Sequence, residues 1–224
     1  MTTTIWTTLV LVAVGLVLGP VLSKVVASSA PPLSDGDRPI ANRSGNRRML
    51  ASPAVGLSLV LAALEGWAGL RFGRTWSLPP VAVFLAGLIT LAWCDATYYR
   101  LPTRILRPTV VVSGALLVLA AGVTSEWTRF GLAVACAAVA FAAFFVMNLV
   151  NPRGMAFGDV RLAGMIGLVL GWRGPTRALD AFVIAIGTAG VAAVILLVAR
   201  RVRLDSHLPY GVFLATGAVL ALLW

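Results

Sequence analysis

Long apolar runs, separated by short polar stretches, occupy most of the 224-residue chain. Each run is continuous rather than alternating, which favours helices over the strands of a barrel, because lipid offers the backbone no hydrogen-bond partner. The pattern predicts an all-α fold, a polytopic membrane helix bundle with about eight transmembrane helices. The predicted helices cover residues 5–27, 52–70, 79–99, 108–123, 129–149, 160–172, 178–199 and 209–224.

The pattern also divides the chain into three parts. Residues 1–27 are predicted to be an uncleaved first transmembrane helix, because the apolar run is about 20 residues long and no basic segment precedes it. Residues 28–50 are rich in Pro, Gly, Ser and Arg, which is typical of an irregular loop. Residues 51–224 form a membrane-embedded core. In that core the glycines Gly164, Gly167 and Gly171 give the sixth helix a small-residue face for tight contact with a neighbouring helix.

Composition supports the membrane assignment and orients the chain. The sequence is 59% hydrophobic and 12% charged, with a mean hydropathy of +0.94 and a net charge of +10. The basic residues are spread among short loops, so we expect no nucleic-acid partner and a lipid bilayer instead. With alternating loops, one side receives only five of the 18 basic residues: Arg71, Arg74, Arg129, Arg173 and Arg177. The other side, with thirteen, is predicted to be cytoplasmic, which places both termini outside.

Two carboxylates stand at the predicted cytoplasmic boundary. Asp95 ends the third apolar run and Asp159 begins the sixth. A charge inside a membrane span is expensive, so such residues indicate function and a partner. Two adjacent carboxylates share a proton, so that one can activate water while the other protonates a leaving group. The alternatives are that Asp159 is a helix N-cap and that Asp95 pairs with Arg100 or Arg104.

The residues around the two aspartates suggest how the site is shaped. Gly158 permits a positive φ and close approach of a substrate backbone, and Gly154 adds flexibility to the same loop. Pro102 ends the third helix, because a proline disfavours helical geometry in the residue before it. Glu65 is interpreted as a structural carboxylate. Cys94 and Cys136 are interpreted as core residues, with no disulfide, metal site or cofactor expected.

The two aspartates stand in segments that resemble the signature motifs of the type IV prepilin peptidases, the GxGD-type aspartic membrane proteases. Asp95, followed by Leu101-Pro102, is similar to the first motif, and Gly158-Asp159-Val160-Arg161 to the second. Leu208 to Phe213 also resembles a family element that opens the last helix. Ala156 stands where the family usually has the first glycine of the second motif. Residues 28–50 lack the two Cys-x-x-Cys pairs of longer members, so the chain resembles a short form without the zinc domain.

This resemblance implies that Asp95 and Asp159 are catalytic and that 51–224 is a peptidase core. The implied substrate is a prepilin or pseudopilin, whose basic leader is cleaved at the cytoplasmic face of the plasma (inner) membrane. N-methylation of the product is left open, as are the natural substrate and the oligomeric state. Two other classes remain possible from the residues alone: a small transporter that uses both aspartates as proton or cation sites, and a non-catalytic scaffold.

Overall fold

A computed structural model describes residues 2–29, 51–73, 75–98, 101–150, 155–198 and 210–223. Within these ranges the secondary structure consists of eight α-helices. They are α1 (Thr2–Ser29), α2 (Ala51–Phe72), α3 (Leu78–Tyr98), α4 (Thr103–Thr124), α5 (Trp127–Val150), α6 (Phe157–Gly171), α7 (Pro175–Val198) and α8 (Tyr210–Leu223). The all-α prediction is confirmed. Gly154 and nearly all of the predicted 28–50 loop lie outside the described residues.

The helices fall into two length classes. Six of the described helices, α1 to α5 and α7, are long and apolar enough to cross a membrane. The other two, α6 and α8, have 15 and 14 residues. At 1.5 Å per residue these are about 22 and 21 Å long, short of the roughly 30 Å hydrocarbon core. The predicted multi-pass bundle is therefore confirmed, with six of its eight described helices long enough to span.

The short helix α6 is the centre of the bundle. It contacts α3, α4, α5, α7 and α8, and ten of its 15 residues are buried. By contrast, the much longer α5 buries only Ala133, Ala140 and Phe144 among its described side chains. Because α6 is apolar and enclosed on nearly every side, a polar residue at its start is held in place by protein rather than by lipid. Asp159 is such a residue.

Small residues bring the helices into close contact, as predicted for the sixth helix. A Cβ at Gly167 would lie 2.7 Å from the Cys136 carbonyl oxygen, and one at Gly171 would lie 2.6 Å from the Cys136 Cβ. Gly15 of α1 is equally tight against α2, where a Cβ would come within 2.8 Å of the Ala62 backbone. In lipid, helix association depends on this packing because water does not drive apolar surfaces together.

The fourth helix begins five residues earlier than predicted. Pro102 has an extended backbone, with φ −68° and ψ 116°, and stands at the N-cap position of α4. Its carbonyl oxygen accepts the N–H groups of Ile105 and Leu106. Pro108, at the start of the predicted range, lies inside the helix. The helix continues through Pro108 because the proline φ is already helical, so close to the N-terminus only one backbone bond is lost.

Candidate active site

The two aspartates come together at one end of the bundle. Asp95 lies in the last turn of α3 and Asp159 in the first turn of α6. Their residues are only 5% and 4% exposed, respectively. The carboxylates are near enough for the charge of Asp95 to act on Asp159. Folding has thus brought two acids, 64 positions apart in the sequence, to the same end of the bundle and within electrostatic range of each other.

Asp159 is held by the start of its own helix. Ala156 is the N-cap residue, and its N–H donates to Asp159 Oδ2 at 3.2 Å. The predicted start of this helix at residue 160 is wrong, because α6 begins at Phe157 and places Asp159 in the third helical position. Asp159 is therefore not the N-cap, although it satisfies the N-cap backbone. Its other oxygen, Oδ1, is buried and has no hydrogen-bond partner among the described residues.

Asp95 is held by a different helix from its own. The N–H of Val212, in the first turn of α8, donates to Asp95 Oδ2 at 3.3 Å. The first N–H groups of a helix have no partner within the helix and carry a partial positive charge, so they stabilise a carboxylate. The alternative that Asp95 pairs with Arg104 is wrong, because the Arg104 side chain is exposed and forms no ion pair within the described chain. Arg100 lies outside the described residues.

Gly158 has a different role from the predicted one. It lies inside α6, and the described glycines with positive φ are Gly73 and Gly174. A Cβ at Gly158 would lie 2.9 Å from the Leu101 Cβ. The prediction of a positive φ is therefore wrong, and the missing side chain instead makes room for the loop that ends at Pro102. This contact joins the two sequence motifs directly.

The alanine at position 156 fits the site without distortion. Ala156 has φ −77° and ψ 146°, an extended conformation that any residue adopts. Its side chain is exposed, and the group that contacts Asp159 is its backbone N–H. Replacing a glycine by alanine here leaves the hydrogen bond to the carboxylate unchanged.

Gly211 is a site residue that the sequence analysis did not single out. A Cβ at this position would lie 2.7 Å from Asp95 Oδ2, so only glycine allows α8 to approach the carboxylate this closely. The signal was present in the segment from Leu208 to Phe213, noted for its resemblance to a family element. What the sequence did not reveal is that this segment forms one wall of the site.

An apolar groove lies at the same end of the bundle as the two carboxylates. It is a cavity of about 270 Å³ between α5, α7 and α8. Its lining includes Met155, Ala189, Gly190, Tyr210 and Phe213. The Asn148 side-chain amide donates to the Met155 carbonyl oxygen at 2.6 Å, which fixes this wall to the end of α5. Met155 precedes α6 by two residues and Tyr210 begins α8, so the groove reaches the helix starts that hold Asp159 and Asp95, although neither aspartate lines it.

Three other side chains from the sequence analysis are Glu65, Cys94 and Cys136. Glu65 is buried in α2 and lines a separate cavity of about 290 Å³. Cys94 is buried next to Asp95 in sequence, Cys136 is half-buried on α5, and both are free thiols. Within the described ranges, no three His, Cys, Asp or Glu side chains cluster closely enough to hold a metal ion.

Fold and site together define a class: a multi-pass helical membrane protein with two buried aspartates at one end of its bundle. Comparison of the sequence with protein families narrows the class. Residues 82–200 match the model of the type IV leader peptidase family. The chain belongs to this family of peptidases, as its motifs predicted.

Individual relatives agree with this assignment. The chain is 31% identical over 180 residues to a prepilin leader peptidase/N-methyltransferase of Bacillus subtilis (strain 168), covering 80% of this chain and 68% of that protein. It is 25% and 23% identical over 170 residues to proteins of the same name from Pseudomonas aeruginosa and Stutzerimonas stutzeri. In these two cases the match spans 75% of this chain and 57% of the relative. No solved structure matches the chain significantly.

Proposed function

We propose that this protein is a membrane aspartic endopeptidase that removes the basic leader peptide of type IV prepilin-like or pseudopilin substrates. The observation that carries the proposal is the buried pair Asp95 and Asp159, which lies at the same end of the bundle as an apolar groove. Family membership supports the reaction class, and the names of the relatives support the substrate class. Because residues 28–50 contain no cysteine, we propose the peptidase activity alone.

The proposed reaction needs only water and the two acids. One carboxylate takes a proton from water, and the water oxygen bonds to the carbonyl carbon of the scissile peptide. The other carboxyl group donates its proton to the departing amide nitrogen, and the C–N bond breaks to give a carboxylate and an amine. Oδ1 of Asp159 has no described partner, so it is the oxygen best placed to accept a hydrogen bond from this water. Acid and base roles belong to the pair rather than to either residue.

The substrate is proposed to approach from two sides. Its basic leader stays in the cytoplasm, on the side to which the basic loops assign both aspartates, in the plasma (inner) membrane. The apolar helix that follows the leader lies in the groove between α5, α7 and α8. This arrangement brings the junction between leader and helix to Asp95 and Asp159. It also allows the product to remain in the lipid after cleavage.

The test is replacement of each acid in a strain that co-expresses a prepilin. We expect Asp95→Asn and Asp159→Asn each to lower leader removal by about 10²- to 10⁴-fold, the usual contribution of acid–base catalysis. Asp180→Asn is the matched control, because Asp180 is exposed on α7. Cleavage is read from the size of the prepilin, and the amount of membrane protein is measured in parallel. Normal processing by either variant at normal abundance would refute the catalytic pair.

A pH profile tests the same pair independently. If one carboxyl group must be charged and the other neutral, the rate falls on both sides of an optimum. A rate that rises to a plateau and does not fall again would contradict a shared-proton mechanism. The profile is recorded with purified protein in detergent, where both faces meet the same buffer.

A further inference from the structure

A third cavity lies at the end of the bundle opposite to the aspartates. It has a volume of about 430 Å³ and is formed where α2 and α6 end and where α3 and α5 begin. Asp95 and Asp159 occupy the other ends of α3 and α6, so the two sites are separated by the length of the bundle. The polar and aromatic residues of this cavity include Arg71, Thr75, Ser77, Arg129, Trp172 and Arg173.

Three guanidinium groups line this cavity with little negative charge to balance them. In the part of the chain that the structure describes, the ion pair here joins Arg129 to Glu126 at 2.8 Å, and neither Arg71 nor Arg173 forms one. Arg173 is half-buried, with its guanidinium carbon 4.6 Å from the centre of the Phe72 ring. Burial, together with the neighbouring Arg71 and Arg177, lowers the pKa of Arg173. The cluster is thus strained electrostatically as it stands.

These arginines lie on the side of the predicted topology that carries few basic residues. Only five of the 18 basic residues fall on this side of the predicted topology. Three of the five line the cavity, and Arg177 is a fourth that acts on Arg173. Basic residues are normally scarce on the non-cytoplasmic side. Their concentration at one cavity therefore points to an anionic ligand rather than to topology.

We propose that this cavity binds a phosphate ester, in the first instance the headgroup of an anionic phospholipid in the outer leaflet. Guanidinium groups bind phosphate oxygens through paired hydrogen bonds, and the Thr75 and Ser77 hydroxyls are further donors. Trp76 and Trp127 are both more than half exposed near the same end of the bundle, as expected of side chains at the headgroup level. The site is separate from the proposed peptidase reaction.

Native mass spectrometry of the purified full-length protein tests this proposal. The protein is released from detergent after titration with phosphatidylglycerol, phosphatidylcholine or inorganic phosphate. We expect phosphatidylglycerol to be retained about tenfold more strongly than phosphatidylcholine, and this preference to be lost in an Arg71→Gln/Arg173→Gln variant. The matched control is Arg104→Gln/Arg107→Gln, which removes the same charge from exposed positions of α4 at the opposite end.

The outcomes distinguish a lipid headgroup from a soluble phosphate ester, and loss of binding from misfolding of the variant. Retention of inorganic phosphate without a lipid preference, lost in the Arg71/Arg173 variant only, would support the phosphate site and name a soluble ester as its ligand. Equal retention of phosphatidylglycerol by the Arg71/Arg173 variant and the control variant would overturn the proposal. If the double variant misfolds, Arg173→Lys replaces it, because an ammonium keeps the charge but loses the paired hydrogen bonds. That variant must then bind phosphatidylglycerol more weakly than the wild type.

Discussion

The two ends of α3 and α6 hold opposite charges in opposite ways. At one end, Asp95 and Asp159 are almost fully buried, and each accepts a backbone N–H from the first turn of a helix or its cap. At the other end, Arg71 is exposed in the last turn of α2, and Arg173 is half-buried just beyond the end of α6. We refer to these as the carboxylate end and the arginine end.

The difference shows how the helix dipoles favour acids at one end of this bundle and arginines at the other. Anions are stabilised at helix N-termini and cations at C-termini, and α6 carries an acid at its start and an arginine just after its end. Asp95 is the informative exception. It lies in the last turn of α3, where the dipole of its own helix opposes a negative charge, so it depends on α8 for stabilisation. The carboxylate end therefore depends on backbone N–H groups from two other helix starts, whereas no such donor holds the guanidinium groups of the arginine end.

The largest effect expected outside the two acids comes from one methyl group at the carboxylate end. Gly211→Ala would place a Cβ 2.7 Å from Asp95 Oδ2 and displace the carboxylate from α8. We expect cleavage to fall by about 10²-fold, as small misplacements of catalytic groups do. Gly122→Ala is the control, because its Cβ would meet nothing within 4 Å. Rates are measured on a purified prepilin; equal rates for the two variants would refute a positioning role for Gly211.

A Gly→Ala change at the arginine end is expected to lower stability rather than the cleavage rate. Gly171→Ala would place a Cβ 2.6 Å from the Cys136 Cβ, and overpacking of this kind costs about 1–3 kcal/mol. The expected result is a lower midpoint of thermal unfolding with an unchanged cleavage rate per folded molecule. A drop in that rate as large as the one expected for Gly211→Ala would show that the two ends are coupled.

Filling the groove is expected to weaken substrate binding without touching the acids. Ala189→Phe would project a ring into the cavity between α5, α7 and α8. Because a displaced apolar side chain is worth about 1.5–3 kcal/mol, KM should rise about tenfold or more while kcat changes little. Val191→Phe, on the exposed surface of the same helix, is the control. A fall in kcat at constant KM would place the substrate helix elsewhere.

The smallest effect is expected at the third buried carboxyl group. Glu65 is 2% exposed in the middle of α2, and its Oε2 has no described partner. Among the described contacts, neither a helix N-terminus nor a second acid lies beside Glu65. Burial is therefore the one feature that it shares with Asp95 and Asp159. Glu65→Gln should leave the cleavage rate unchanged in the prepilin assay. A loss comparable to that of Asp95→Asn would mean that the reaction uses this acid as well.

The sequence predicted the bundle and the meeting of the two aspartates for physical reasons that can be named. Continuous apolar runs dictate helices in lipid, and the bias of basic loops places Asp95 and Asp159 at the same face of the membrane. The contact between Asp95 and α8 could not be predicted, because the donor is a backbone N–H that every residue except proline carries. Gly158 shows the same limit. Its missing Cβ makes room for Leu101, but the local sequence around a residue does not reveal which distant residue packs against it.

The shortness of α6 has a consequence for water. A helix too short to cross the hydrocarbon core leaves non-helical backbone at membrane depth, which is tolerated where protein or a water-filled recess covers it. Such a recess beside Asp159 would carry water down to the acids while a long apolar anchor next to them stays dissolved in hydrocarbon. For the proposed substrate, hydrolysis and membrane anchoring, which demand opposite solvents, would then take place a few residues apart on one molecule.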